Sequence, residues 1–212
     1  LISHQHRCLF IHIPKTAGKS VLAGFGLPEF GRDYDGGLTH LEDPYDHKRL
    51  AGYAEAGWYS EYFRFAFVRN PWDRAVSAFS YLSAGGANAQ DKAFFDDHLA
   101  IFGGSFAAFL KHLPDLVEHK HFRPQSHWAA PAPGAPGLDF IGRFERFEED
   151  YAAIAERLGL PAAPARVNAS KRRDYRRYYD AEGKKIIRTL YAEDIERFGY
   201  KFGDGARKTS VS

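Results

Sequence analysis

One cysteine, Cys8, stands among the 212 residues, so no disulfide can close within the chain and an oxidising compartment gains no support. Methionine is missing altogether, even at the first position, which leads us to expect a trimmed chain and leaves room for a targeting segment ahead of it. Long apolar runs are lacking too, and no stretch approaches the roughly 20 residues a membrane-spanning helix needs. A net charge of only +2 gives no global pull toward nucleic acid, because basic residues would have to cluster to matter. What is abundant is aromatic: 18 Phe and 12 Tyr imply a bulky aromatic core and surfaces on which a sugar can stack. The length suits one sizeable core, so a single domain over residues 1–202 is expected, with 203–212 a disordered tail.

The chain's most informative stretch is Cys8-Leu-Phe-Ile-His-Ile-Pro-Lys-Thr-Ala-Gly-Lys-Ser20. Leu9 to Ile13 is rich in Ile and Phe, is too short for a helix and stops at Pro14, as a buried parallel strand does. Val21, Leu22 and Phe25 then recur at helical spacing, so the loop opens into a helix N-terminus whose backbone N–H groups favour an anion. Gly18 lets the backbone approach that anion, Lys15 and Lys19 add charge, and Thr16 and Ser20 add hydroxyl donors. Gly18-Lys19-Ser20 matches the end of the Walker A loop, but Ile13 stands where its first glycine belongs and Pro14 follows.

A second strand-to-helix junction lies at residues 63–82. Phe63 to Val68 reads as a strand, Asn70 suits a helix N-cap, Pro71 the first helical position and Asp73 the first turn. Trp72, Val76 and Phe79 form the core face of that helix. Arg69 sits at the strand's carboxyl end, where ligands of open α/β sheets collect, and Ser77 lies two turns on.

Together, Pro14-Lys-Thr-Ala-Gly-Lys-Ser20 and Arg69-Asn-Pro-Trp-Asp-Arg-Ala-Val-Ser77 resemble the carbohydrate sulfotransferase family, in the branch of the heparan 2-O-, HNK-1 and chondroitin enzymes and their bacterial relatives. Arg123-Pro-Gln125, Gly142-Arg-Phe-Glu145, Asn168-Ala-Ser170 and Asp194-Ile-Glu-Arg-Phe-Gly-Tyr200 extend the likeness from Leu9 to about Phe202. The resemblance implies that the first loop, Pro14, Lys15, Thr16, Ala17, Gly18, Lys19 and Ser20, holds the 5′-phosphosulfate of 3′-phosphoadenosine 5′-phosphosulfate (PAPS). It implies that Arg69 and Ser77 hold the 3′-phosphate. Lys19 departs from the family, which usually carries a small hydroxyl residue there, so whether Lys15 or Lys19 faces the sulfuryl group stays open.

The resemblance also implies a histidine general base upstream of the 3′-phosphate arginine, a placement His47 fits better than His40, which is assigned to the acceptor site. In the polar, aromatic run Glu118-His-Lys-His-Phe-Arg-Pro-Gln-Ser-His-Trp128, the residues Arg123, Gln125 and His127 are assigned to the acceptor and Trp128 offers a stacking face. His119, His121 and His127 form a weaker metal-ligand pattern, an H-x-H pair facing one way if it lies on a strand; the family resemblance implies no catalytic metal, and none is expected. The basic run Lys171-Arg-Arg-Asp-Tyr-Arg-Arg177 is either a solvated face or a nucleotide-covering loop in which Lys171 or Arg172 meets the 3′-phosphate or adenine.

The expected fold is α/β, a three-layer P-loop-like domain with a central parallel sheet flanked by helices. The expected activity is sulfuryl transfer from PAPS, leaving 3′-phosphoadenosine 5′-phosphate (PAP), to a hydroxyl, most simply of a carbohydrate. The expected location is the cytoplasm of a bacterial-type protein, or the Golgi lumen if an N-terminal anchor has been trimmed. A P-loop kinase using ATP and Mg²⁺ is the rival enzyme class, although the second strand ends in Arg69 rather than an acidic metal ligand. A nucleotide- or glycan-binding domain without catalysis is the other alternative.

Overall fold

The computed structural model describes residues 1–27, 41–42, 47–161 and 173–205. The described residues divide into two compact units, one from residues 1–69 and 125–161, the other from 70–124 and 173–205.

The first unit is built on a five-stranded sheet. Its strands are β1 (Ile2–Ser3), β2 (Cys8–Ile11), β3 (Leu41–Glu42), β4 (Phe63–Val68) and β5 (Phe140–Arg143), ordered β3-β1-β2-β4-β5. β2, β4 and β5 run parallel, while β1 pairs antiparallel with both β2 and β3. The sheet is therefore mostly parallel, with an antiparallel edge that sequence pattern did not reveal, because two-residue strands carry no readable period.

Alternation along the strands sends Cys8 and Phe10, with Phe65 and Phe67, into one core. That core is closed by Val21, Leu22 and Phe25 of helix α1 (Gly18–Gly24) and the segment after it, and by Phe147, Tyr151 and Ile154 of helix α6 (Phe147–Leu158). The Cys8 thiol is fully buried there, and burial pushes its pKa up to about 12, which leaves it inert. At the amino ends of β4 and β5, the guanidinium of Arg64 holds both carboxylate oxygens of Asp139, at 2.8 and 3.0 Å. The Arg64 amide donates to the same carboxylate and the Asp139 amide donates to the Arg64 carbonyl. This fork sets the register of the two strands.

The second unit is helical: α2 (Pro71–Ser83), α3 (Ala89–Phe94), α4 (Phe106–Leu116), α7 (Ala181–Leu190) and α8 (Ala192–Phe198). Its core joins Trp72, Phe79, Phe109, Phe122, Ile187 and Tyr191. Asn70 caps α2 by accepting from the Trp72 amide at 3.1 Å, as its position before Pro71 predicts. Ile187, Leu190, Tyr191 and Ile195 predict one last helix from about Ala181 to Phe198, but it breaks at Tyr191 into α7 and α8; the Tyr191 hydroxyl donates to the Phe122 carbonyl at 2.6 Å.

The spacing of Leu50, Tyr53 and Ala54 predicts a helix from Asp46 to Tyr62, and this expectation is corrected: residues 47–62 form short 3-10 turns at Leu50–Tyr53 and Tyr59–Glu61, where Gly52 and Gly57 lower the propensity for a continuous helix. The His119–His121 pair lies on a turn, with the Phe122 amide bonded to the His119 carbonyl at 2.8 Å, so it lacks the strand geometry a shared ligand face needs. His119 stacks on Phe94 at 3.7 Å and His121 sits 3.4 Å from the buried Asp91 carboxylate. Among the described residues no group of three or more His, Cys, Asp or Glu is arranged to hold a metal. No helix among them is long and apolar enough to cross a membrane.

Candidate active site

Because β2, β4 and β5 are parallel neighbours, the segments leaving their carboxyl ends emerge together. The segment after β2 carries residues 12–17 and ends in α1 (Gly18–Gly24). Lys15 and Ala17 both adopt left-handed backbone, with φ of 71° and 74°, an uncommon state for residues with a Cβ. Such alternation turns successive N–H groups toward one concavity, the geometry of an anion nest. Thr16, between them, is buried and donates to the Ile13 carbonyl at 2.9 Å, so its hydroxyl shapes the loop from within.

Helix α1 begins without a side-chain cap and without an acidic residue in its first turn; its second residue is the exposed Lys19. A helix N-terminus normally attracts its own carboxylate or hydroxyl cap. Here an external oxyanion would meet the opening of the helix with no side-chain cap in competition; the Ser20 amide is taken by the Ala17 carbonyl at 2.9 Å, and the buried Ser20 hydroxyl is carried on the same turn. The loop and helix start thus fit a phosphate or sulfate group on their own geometry.

Arg69, leaving β4, is tied to that loop: its Nη1 donates to the Lys15 carbonyl at 3.0 Å. Its guanidinium also lies 3.7 Å over the ring of Phe144, which follows β5. Stacking holds the plane of the guanidinium. Three strand ends therefore meet at Lys15, Arg69 and Phe144. The sequence pointed to the first two; Phe144 sat inside the quoted Gly142-to-Glu145 landmark without a role.

His47 approaches the same loop from the segment after β3. Its Nδ1 lies 2.7 Å from the His12 carbonyl oxygen. A carbonyl can only accept, so Nδ1 donates, and the neutral ring then carries its basic lone pair on Nε2. The His12 imidazole stands beside it, with ring centroids 4.4 Å apart, and Trp128 is 6.3 Å from His47 on another side. Trp128 belongs to the short helix α5 (Gln125–Ala129), and its buried indole N–H has no acceptor among the described residues.

The other sequence candidates fall into three groups. Gln125 is fully buried, its Oε1 accepting from the Arg69 amide and its Nε2 donating to the Arg69 carbonyl, both at 2.8 Å. It anchors the end of β4 rather than presenting its amide to an acceptor. His127, half-buried next to it, receives Arg49 Nε on its carbonyl at 3.0 Å. Ser77, half-buried on α2, and Arg123, whose Nη2 bonds Glu118 at 2.8 Å, belong to the second unit. His40, Lys171 and Arg172 lie outside the described residues.

Comparison with known proteins gives the family. A family model described as the sulfotransferase family matches residues 1–201. The chain belongs to the sulfotransferase family. It is 28% identical over 179 residues to carbohydrate sulfotransferase 14 of Danio rerio, covering 76% of this chain and 48% of that protein. To carbohydrate sulfotransferase 10 of Xenopus laevis it is 25% identical over 237 residues, covering 94% of this chain and 66% of the relative. An uncharacterised protein of Archaeoglobus fulgidus is 29% identical over 128 residues, 55% of this chain and 84% of its own length. The chain thus spans about half the length of the first of these curated relatives and about two thirds of the second. No solved structure matches.

Proposed function

We propose that this sulfotransferase-family chain moves the sulfuryl group of PAPS to a hydroxyl group of a carbohydrate. The observation that carries the reading is the convergence on one loop of an arginine fork, held on the Lys15 carbonyl at 3.0 Å, and a histidine, held on the His12 carbonyl at 2.7 Å. A phosphate loop with a cation and a base brought to it is what sulfuryl transfer to an alcohol requires. The names of the curated relatives support a carbohydrate acceptor.

In this reading the loop amides from Lys15 to Lys19, with the Ser20 hydroxyl, hold the 5′-phosphate, and Arg69 grips the 3′-phosphate with its planar fork. PAPS supplies the activated sulfuryl group and departs as PAP. Lys15, half-buried within the loop, offsets the negative charge that builds on the oxygen bridging sulfur and phosphate as that bond breaks. His47 Nε2 accepts the proton of the attacking hydroxyl while the new sulfur–oxygen bond forms, and its Nδ1–H bond to His12 spreads the charge it gains. Catalysis of this kind rests on alignment and charge compensation, as in phosphoryl transfer.

Calorimetric titration tests the donor half. PAP should bind in preference to ATP–Mg²⁺, and Arg69→Ala should weaken PAP by about 10- to 100-fold, the scale of a charge-assisted bond to phosphate. Preference for ATP–Mg²⁺, or indifference to Arg69, overturns the reading in favour of a kinase. Radiolabelled PAPS with desulfated glycosaminoglycans and simple glycosides tests the acceptor half.

A further inference from the structure

We propose that His12 is a positioning residue: its carbonyl selects the His47 tautomer, and its imidazole, wedged between the phosphate loop and His47, determines where that carbonyl and ring stand. The inference rests on the reading of His47 as the base. His12 is the first residue after β2, so its main chain belongs to the donor loop while its side chain reaches the other half of the site.

Three contacts fix the His12 ring. It stacks on Phe10, two residues back on the same strand face, with centroids 5.6 Å apart and planes at 24°. Its far edge occupies the hollow left by the missing side chain of Gly18, where any Cβ would fall inside the imidazole. Its third neighbour is the His47 ring, 4.4 Å away and tilted by 54°. Gly18 is therefore needed for more than anion approach: its φ is unremarkable, and the absent Cβ makes room for His12. A ring seated against the first residue of α1, and bonded through its own peptide to the base, joins the two halves of the reaction. Any shift of the loop as it takes up a phosphate moves the carbonyl that holds His47.

The geometry requires a hydrogen on His47 Nδ1, so that the neutral ring has its lone pair on Nε2. Uniform tautomer preference is uncommon for an unconstrained imidazole in water, so the state is a signature that ¹⁵N NMR can read in histidine-labelled protein. Wild type should show that tautomer with or without PAP. His12→Ala should mix the tautomers of His47, keep PAP affinity within about threefold of wild type, and lower kcat by about 10- to 100-fold, the range for losing an orienting partner of a reactive group.

The cavity left by His12→Ala provides a second measurement. Pyrazole has the shape of imidazole but is too weak a base to take the acceptor proton. Recovery of the His47 tautomer and of kcat on adding pyrazole would support positioning by shape. Recovery with imidazole alone would mean that His12 handles a proton itself, and would overturn the proposal. So would a His12→Ala protein with the wild-type tautomer and wild-type kcat. The tautomer readout needs no acceptor. A wild type that holds the Nδ1–H form yet neither binds PAP nor turns over PAPS would sink the sulfotransfer reading and leave the His12–His47 geometry standing.

Discussion

Replacing Gln125 by alanine separates a strand anchor from an acceptor ligand. The Gln125 amide makes two 2.8 Å bonds to the backbone of Arg69, a residue only 5% exposed. Alanine would leave one buried N–H and one buried carbonyl without their partner. Each such orphan costs about 1–3 kcal/mol, so the pair costs about 2–5 kcal/mol after local relaxation. For a protein of this size each kcal/mol shifts Tm by about 2–4 °C, and a central value of about 3 kcal/mol lowers it by roughly 6–12 °C. Thermal unfolding by circular dichroism reads the loss, and PAP titration should show weaker binding, because the backbone carrying the Arg69 fork has lost its tie. Gln125→Glu keeps the oxygen that accepts from the Arg69 amide but sets a carboxylate against the Arg69 carbonyl. The introduced carboxyl then has a raised pKa in the fold, so this variant should regain stability relative to wild type as pH falls toward 5, when the protonated form can donate. A Gln125→Ala protein melting within about 2 °C of wild type, with the loss confined to KM for the acceptor, would refute the anchoring argument.

Other consequences are as direct. Lys15→Ala should lower turnover by about 100-fold or more, the scale of one lost transition-state donor, and Lys19→Ala by clearly less, since Lys19 is exposed on α1 while Lys15 is half-buried in the loop; the reverse ranking in single-turnover assays would exchange their roles. Tyr151 is fully buried, its hydroxyl has no hydrogen-bond partner among the described residues and it lies against Gly24, so Tyr151→Phe should stabilise the protein by about 1 kcal/mol in urea titrations. His119 is pushed down to about 4 by burial and by the neighbouring Lys120 charge. Between about pH 6.5 and 4 the unfolded chain takes up a proton that the folded His119 refuses, so stability falls as pH drops through that window. His119→Phe, which keeps the stack on Phe94, should show a shallower decline there, and equal slopes would argue against a buried neutral imidazole.

The two strand-to-helix junctions were legible because their signals are local. Ile and Phe ahead of Pro14, and Asn70-Pro71 ahead of Trp72, act within a few residues, and the structure places β2, α1, β4 and α2 accordingly. Where glycine spacing competes with an apolar period, as at Gly52 and Gly57, the same local reasoning named a helix that did not form. Gln125 was assigned by its residue type and its polar surroundings, neither of which reports that its amide is turned onto the backbone of Arg69, 56 positions away.

The sequence by itself determined the chemistry on offer: a loop of small, hydroxyl and cationic residues entering a helix, an arginine at the end of a second strand, and histidines between them. Residue type and short spacing settle these, because backbone propensity and side-chain charge act over one or two turns. Only the tertiary structure decided how they meet. Pairing β2 beside β4 and β5 brought Lys15, Arg69 and Phe144 to one edge, and it gave the His12 ring the hollow at Gly18 from which its carbonyl reaches His47. Those contacts join residues up to 75 positions apart in sequence, from Arg69 to Phe144, and no local propensity carries information over such a distance.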